Sequence, residues 1–233
     1  MENSSREELY AVREFRRRPD EAEETHSRLV VAEFCIAREL RHPNAVQVLD
    51  LLKDESENFH EVMEFCPGGD LFTLVRSSGK LEVQEANCFF KQMMRGVHYV
   101  HEMGVAHRDL KQENLLLSRQ GRLQISDFGS SECFRMAWEK DIHAVSRVCG
   151  SGPYKAPELY THDEVDGRAV DIWACGIIYM AMRTGCLLWQ KAQSDADELY
   201  AQYLEDRRLE EGFAPIESLH GVSPVIHLAR STT

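Results

Sequence analysis

The sequence predicts an α+β fold, and two kinds of hydrophobic pattern along the chain support that prediction. Short segments with alternating apolar residues, or with brief apolar runs, occupy much of the first third and return near the middle, which indicates short strands. Longer segments with apolar residues three and four positions apart lie between and after them, which indicates helices. Mixed strands followed mostly by helices are typical of an α+β fold, here with a small N-terminal sheet layer and a helical C-terminal part.

The N-terminal part is expected to contain three strands and one helix. The turn His42-Pro43-Asn44 ends the helix, and the break Pro67-Gly68-Gly69 follows the last strand. The predicted elements are a strand over 8–15, a helix over about 25–40, and strands over 45–52 and 59–65. The strongly charged stretch after the first strand is expected to form a solvated loop.

The C-terminal part is expected to be mainly helical. The turn Gln120-Gly121 separates two short apolar runs and indicates a hairpin. The predicted elements are a helix over 82–103, hairpin strands over 115–117 and 123–125, and a helix over about 169–185. The last helix is apolar on nearly all sides, so we expect it to be buried all round. Residues 129–157 are polar and are expected to be irregular.

The composition excludes several classes of protein. With Lys+Arg 27 and Asp+Glu 39 the net charge is −12, which disfavours nucleic acids and anionic membranes as partners because both attract basic patches. The seven cysteines include no CxxC pair, which favours reduced thiols over a disulfide framework or a zinc site. The longest apolar run, residues 172–182, is shorter than the roughly 20 residues that cross a bilayer. We expect a cytoplasmic protein that does not insert into a membrane, and we expect a monomer.

Four short motifs follow one another between residues 107 and 176. They are His107-Arg108-Asp109-Leu110-Lys111-Gln112-Glu113-Asn114, Asp127-Phe128-Gly129, Ala156-Pro157-Glu158, and Asp171-Ile172-Trp173 with Gly176. Each tripeptide alone is a weak signal, but four in this order, the second at the end of a predicted hairpin, argue against coincidence. In these motifs the sequence resembles the eukaryotic protein kinases.

The resemblance implies a bilobal kinase-like fold that uses ATP and Mg²⁺. Phosphoryl transfer depends mostly on positioning and on neutralising charge, which explains the residue types. Asp109 would orient the substrate hydroxyl and accept its proton, and Lys111 would neutralise the transferring phosphate. Asn114 and Asp127 would supply the oxygen ligands that Mg²⁺ prefers. Any one of these residues alone is more simply a turn or capping residue.

The resemblance also indicates a serine/threonine acceptor on a protein substrate. Lys111 is typical of the serine/threonine branch, and the segment 149–158 aligns without gaps on that branch's substrate-docking loop. Ser151 takes the place of the usual threonine, whose hydroxyl bridges the catalytic aspartate and lysine. Glu113 and Asp70 match acids that receive substrate arginines in some members, which suggests a preference for basic substrates.

The nucleotide site carries over residue by residue from the same resemblance. The segment 62–70 resembles the strand that leads into the hinge between the lobes. In that reading Met63 is the gatekeeper, the backbones of Glu64 and Cys66 bind adenine, and Asp70 binds ribose. Ala11 and Leu116 match the apolar pair on either side of the adenine ring.

The phosphate end of the nucleotide site departs from the family pattern. Nothing in residues 1–9 resembles a glycine-rich loop, and the strand Tyr10-Ala11-Val12-Arg13 places Arg13 in the slot of the phosphate-anchoring lysine. Glu33 matches the helix acid that pairs with that lysine. An Arg13–Glu33 pair can form, but arginine is longer and planar, so nucleotide positioning is expected to be weaker.

The ends of the chain suggest an incomplete kinase. We expect a partial N-terminal lobe over 1–66, with the third strand, the regulatory helix and the hinge; a helical lobe over 67–211, with the catalytic loop and activation segment; and an irregular tail over 212–233. Nothing after residue 185 matches the Asp-Pro-x-x-Arg context of the arginine that normally pairs with Glu158. Residues 195–208 could begin the next helix, but 212–233 lack the expected helical pair, so the large lobe is expected to lack its last helices. An incomplete gene model or a truncated isoform is the simplest explanation.

Control by phosphorylation is expected to be weak. An arginine before the catalytic aspartate, here Arg108, often pairs with a phosphate on the activation segment. Ser146 is the nearest hydroxyl to the usual site, but Arg147 occupies the aligned position.

Two alternatives to an active kinase stay open. A truncated or pseudokinase-type binding module is favoured by the missing glycines and by Arg13, and opposed by Asp109 and Asp127. A small-molecule phosphotransferase is opposed by the third and fourth motifs. Within the kinases, segments such as EFCIARELRHPN and GSGPYKAPEL are similar to a fungal group of serine/threonine kinases that regulate plasma-membrane ion and nutrient transporters.

Overall fold

The computed structural model describes residues 8–146 and 149–220. The helices are α1 (Glu23–Glu39), α2 (Leu71–Ser78), α3 (Val83–Glu102), α4 (Gly167–Thr184), α5 (Glu198–Asp206) and α6 (Ala214–Glu217). The strands are β1 (Tyr10–Phe15), β2 (Val48–Lys53), β3 (Phe59–Glu64), β4 (Val105–Ala106), β5 (Leu115–Leu117), β6 (Leu123–Ile125), β7 (Glu132–Cys133), β8 (Val145–Ser146) and β9 (Glu164–Val165). The predicted α+β order of strands and helices is confirmed.

The N-terminal sheet is antiparallel, with strand order β1-β3-β2 in the described part of the chain. Its register sets Ala11 opposite Met63 and Arg13 opposite Glu61. Because successive side chains alternate between the faces of a strand, Ala11 and Arg13 lie on one face, which is the more buried face of β1. The register therefore brings the predicted gatekeeper and the predicted phosphate-anchoring residue onto one side of the sheet.

The helical part packs around α3 and α4. A capping box between Glu82 and Glu85 starts α3, and the Asp166 side chain caps the first turn of α4. The prediction that α4 is buried all round is wrong, because Ile172 is 47% exposed. The same helix contributes Cys175 and Ile178 to the main core.

The segment predicted to be irregular contains short strands and 3₁₀ turns. β7 pairs with β4, directly before the first motif, and β8 pairs with β9. Sequence periodicity missed them because a two-residue strand carries no alternation to detect. The β5–β6 hairpin has the predicted bounds, with Leu116 opposite Gln124.

Several expectations fall outside the described residues. Arg147 and the segments 1–7 and 221–233 belong to this group, so the expected irregular tail is described only to residue 220, where it includes α6. No helix among the described residues is both long enough and apolar enough to cross a bilayer. The domain division at residues 66 and 211 stays a prediction.

Candidate active site

The loop that follows β4 is held by one buried carboxylate from α4. Asp171 is 1% exposed, and its two oxygens accept the backbone N–H groups of His107 at 2.9 Å and of Arg108 at 2.7 Å. The ring of His101 lies 2.8 Å from the same carboxylate. Arg108 has a φ of 68°, which non-glycine residues rarely adopt, and these short bonds hold it there. The geometry of the loop therefore depends on Asp171.

The side chains of three predicted site residues, Asp109, Lys111 and Ser151, are in mutual contact. The ammonium group of Lys111 lies 2.9 Å from Oδ2 of Asp109, and the hydroxyl of Ser151 donates to Oδ1 of Asp109 at 2.7 Å. Lys111 also donates to the Ser151 hydroxyl at 3.2 Å. Burial alone would lower the pKa of Lys111, but the hydrogen bond and negative charge of Asp109 outweigh it and raise that pKa. The lysine is thus held protonated beside the carboxylate.

The β5–β6 hairpin connects this group to the second motif. Asn114, at the start of the hairpin, donates from its amide to the Asp109 carbonyl at 3.0 Å. Its own carbonyl accepts the backbone N–H and the hydroxyl of Ser126 at the other end. The His107 ring lies 3.0 Å from the Ser126 carbonyl and packs on the Phe128 ring at 5.0 Å between centroids. Strand pairing therefore places Asp127 beside the catalytic loop.

Asp127 projects toward the small sheet and meets Arg13. Its Oδ1 accepts from Nη1 of Arg13 at 2.8 Å, while Nη2 of Arg13 binds Glu33 and lies 3.2 Å from Glu61. Burial would lower the pKa of Arg13, but the facing carboxylates Glu33 and Glu61 outweigh it and raise that pKa. A β-carbon at Gly129 would lie 3.0 Å from Glu33 and 3.3 Å from Asp127, so the glycine permits this close approach. The expected Arg13–Glu33 pair is present.

The predicted adenine-binding segment forms the end of β3. Ala11 faces Met63 across the β1–β3 pair. The backbone N–H of Glu64 donates to the Gln47 carbonyl at 3.0 Å, so an adenine contact by Glu64 would use its carbonyl. The Glu64 carboxylate accepts from the side chain of Gln124 at 2.6 Å. These contacts fix the strand where it leaves the sheet.

Two further predicted site residues, Cys66 and Asp70, lie between β3 and α2. Cys66 is buried and its thiol donates to Gln124 at 3.6 Å; burial, with the nearby negative charge of Glu64, raises the pKa of this thiol to about 11. The Asp70 carboxylate accepts the Thr73 N–H at 2.6 Å and so caps α2. A backbone bridge joins Asp70 to Leu116. Asp70 thus has a structural role whether or not it binds ribose.

Glu113 is exposed on the 3₁₀ turn Gln112–Asn114, beside the catalytic loop. Its charge acts on Lys111 and on the buried phenol of Tyr154 in the docking segment. The side chain therefore faces solvent between the catalytic loop and the predicted substrate-docking loop.

Comparison with known proteins identifies the family of this chain. The family described as "Protein kinase domain" matches residues 1–219. The chain belongs to the protein kinase family. The kinase fold implied by the sequence follows from that membership, and the roles expected for Asp109, Asn114 and Asp127 stay predictions.

The chain is similar to several proteins that are named serine/threonine-protein kinases. It is 58% identical over 218 residues to serine/threonine-protein kinase hal4 of Schizosaccharomyces pombe, covering 94% of this chain and 34% of the relative. It is 58% identical over 219 residues to serine/threonine-protein kinase HAL4/SAT4 of Saccharomyces cerevisiae, covering 94% and 36%. A probable serine/threonine-protein kinase HAL5-like of Eremothecium gossypii is 41% identical over 238 residues, covering 95% and 35%. The chain spans about a third of the length of these curated relatives.

The two residues predicted to bind Mg²⁺, Asn114 and Asp127, have oxygen atoms that fit a divalent cation. The contacts that the structure gives to the Asp127 carboxylate fall on Oδ1, from Arg13 and the Gly129 N–H, and the side chain is 43% exposed. Asn114 uses its amide nitrogen on Asp109, which leaves the amide oxygen as a ligand. Among the described residues no three His, Cys, Asp or Glu side chains form a metal cluster. Phosphate and water oxygens would complete the coordination, as Mg²⁺ ordinarily requires.

Sequence reasoning assigned no individual role to three residues that shape the site. They are Glu61, Asp171 and Glu132, each a carboxylate that binds an arginine or the backbone of the catalytic loop. Asp171 carried a signal, because it belongs to the fourth motif and is a charged residue in a mostly apolar helix, and buried charges are normally paired. Glu61 carried a weaker signal as a charged residue in the middle of a short strand. Glu132 carried none, since it lies in a polar stretch.

Proposed function

We propose that this chain is the catalytic part of an ATP-dependent serine/threonine protein kinase in cytoplasmic signalling. The observation that carries the proposal is the group formed by Asp109, Lys111 and Ser151, whose side chains are within 3.2 Å of one another. A carboxylate, a protonated amine and a hydroxyl in mutual contact are what transfer to an alcohol requires. Serine and threonine hydroxyls of proteins are the proposed acceptors.

Each residue of this group has a distinct proposed role. Asp109 orients the acceptor hydroxyl and accepts its proton, with Oδ1 held by Ser151 and Oδ2 by Lys111. Lys111 neutralises charge that develops on the transferring phosphoryl group. Asn114 and Asp127 would hold Mg²⁺, which screens the charge of the ATP phosphates. Ser151 ties the docking loop to the catalytic loop.

The nucleotide is proposed to lie between β1 and the β5–β6 hairpin. Ala11 and Leu116 would contact the two faces of adenine, beside the gatekeeper Met63. The backbones of Glu64 and Cys66 would bind the edge of the base. The proposed roles at the far end are ribose binding by Asp70, and phosphate anchoring by Arg13 with Glu33.

A preference for basic residues near the acceptor is part of the proposal. Glu113 supports it, because its carboxylate is exposed beside the catalytic loop. Asp70 supports it less, because one of its oxygens already caps α2. A peptide array should show enrichment of arginine or lysine near the accepted serine or threonine, and E113Q should reduce it. An array without that enrichment would remove this part of the proposal.

The decisive experiment measures transfer from Mg-ATP to a serine-containing protein substrate by the 233-residue chain and by its D109N variant. The wild type should transfer phosphate, and D109N should be slower by about 10²–10⁴-fold, because it cannot accept the proton. Mg-ATP should protect both from thermal unfolding to a similar extent. The control is D195N, the same change at an exposed aspartate away from the site.

The binding-module alternative keeps one observation in its favour. Arg13, in the phosphate-anchoring position, is surrounded by Glu33, Glu61 and Asp127, which leaves this end of the site negative. Protection by Mg-ATP without transfer would support that alternative. Transfer that D109N retains would contradict both.

A further inference from the structure

The guanidinium of Arg13 contacts carboxylates at both of its terminal nitrogens, and the two ends differ in burial. Nη2 contacts Glu33 and Glu61, whose side chains are 13% and 4% exposed. Nη1 contacts Asp127, whose side chain is 43% exposed. Nη2 is thus the buried end of the guanidinium, and Nη1 is the end that faces the cleft.

Glu61 is out of place for a buried strand residue. It lies within β3, between Phe59 and Met63 on the same face, and one of its oxygens is buried without a hydrogen-bond partner in the described structure. A buried carboxylate is strongly unfavourable unless a charge compensates for it. The register places Arg13 directly opposite, and the 3.2 Å contact supplies that charge.

The planar guanidinium gives this contact an orienting effect. Lysine has one nitrogen, so it can turn about its own axis without losing its partner, whereas arginine offers several donors in a fixed plane. Two carboxylates on Nη2, together with Asp127 on Nη1, restrain the direction of that plane more than Glu33 and Asp127 alone would. The Nε atom of Arg13 is buried and has no hydrogen-bond partner among the described residues, so it adds no restraint.

We propose that Glu61 is a positioning residue for the nucleotide phosphates: with Glu33 it holds Nη2 of Arg13, so that Nη1 points into the cleft beside Asp127. This inference rests on the proposed kinase function. It explains how arginine serves in the position of a phosphate-anchoring lysine. Glu61 itself touches neither phosphate nor metal in this role, and it acts only through Arg13.

The test compares a ligand that has phosphates with one that lacks them. Binding of Mg-ATP and of adenosine is measured by calorimetry for the full chain, for E61Q and for E61M. E61M fills the strand position with an apolar side chain, so it keeps the test valid if E61Q does not fold. The control is E57Q, which makes the same change in the exposed Lys53–Glu57 ion pair.

Both Glu61 variants should bind Mg-ATP about tenfold more weakly and adenosine within twofold of the wild type. In phosphate transfer, the KM for ATP should rise by a similar factor, and E57Q should match the wild type throughout. Unchanged or tighter Mg-ATP binding in the Glu61 variants would overturn the inference and leave the proposed function intact. Equal weakening for both ligands would also overturn it, because that indicates a structural role. A wild type that binds adenosine but not Mg-ATP would overturn both.

Discussion

Arg108, the residue before Asp109, forms an ion pair with the carboxylate of Glu132 on β7. The arginine side chain is 6% exposed. It also donates to the carbonyl of Ser146 at 2.7 Å and to the thiol of Cys149 at 3.2 Å. The Glu132 carboxylate therefore binds Arg108, whose counterpart in many kinases pairs with a phosphate. The unmodified Arg108 side chain thus connects the loop that contains Asp109 to Glu132 and to the segment around Ser146 and Cys149.

Removal of the Glu132 carboxylate should uncouple these two segments. We expect E132A to lower kcat for phosphate transfer by about tenfold, because the buried Arg108 loses a charge-assisted hydrogen bond. E132Q keeps the shape and an acceptor oxygen, so it should fall between E132A and the wild type. Steady-state kinetics on purified variants measures both effects.

The matching control changes Ser146, whose hydroxyl is the nearest one to the usual phosphorylation site. S146A should keep wild-type activity, because Arg108 contacts the carbonyl of Ser146, which alanine retains. Loss of activity in S146A, together with normal activity in E132A, would contradict the proposed role of Glu132.

Ser151 gives a prediction about the docking loop. S151A removes the hydroxyl between Asp109 and Lys111, and we expect kcat to fall by roughly tenfold, since one hydrogen bond to a charged group contributes about 1.5–3 kcal/mol. S151T retains the hydroxyl and should keep at least half of the activity. The two variants are compared with one protein substrate at saturating Mg-ATP. Equal rates for S151A and S151T would contradict the bridging role.

The sequence was most informative where motifs carry the chemistry. The contact of Ser151 with Asp109 and Lys111 was predicted through the resemblance to kinases. The hairpin bounds were predicted because they depend on a short, local pattern. The Arg13–Glu33 pair was also predicted, through the resemblance to kinases. The roles of these residues stay predictions.

The sequence was least informative where a contact joins distant segments. Glu61 and Arg13 are brought together by strand register, and Glu132 and Arg108 by a two-residue strand pair, neither of which a hydrophobic pattern specifies. The exposure of Ile172 was missed for a related reason, because composition shows that a helix is apolar but not which neighbours cover it. A charged residue inside a mostly apolar segment is the sequence feature that can indicate such a buried contact.

Asp171 gives a prediction about stability. D171A leaves the buried N–H groups of His107 and Arg108 without acceptors, and we expect the free energy of unfolding to fall by about 3 kcal/mol. D171N should be nearly as damaging, because its amide group places a donor opposite one of these donors. Urea unfolding measures the change, with D195N as the exposed control. A loss below about 0.5 kcal/mol in D171A would show that the loop holds its conformation without this anchor.

Cys66 gives a prediction about alkaline stability. Burial, with the charge of Glu64, raises the pKa of its thiol from 9.0 to about 11 in the folded chain. Between these values the unfolded chain has lost the proton while the folded chain keeps it, so rising pH favours unfolding. Below pH 9 both states are protonated and this contribution is complete. Unfolding free energies of the wild type should therefore fall more steeply than those of C66A between pH 9 and 11, and parallel curves would contradict the raised pKa.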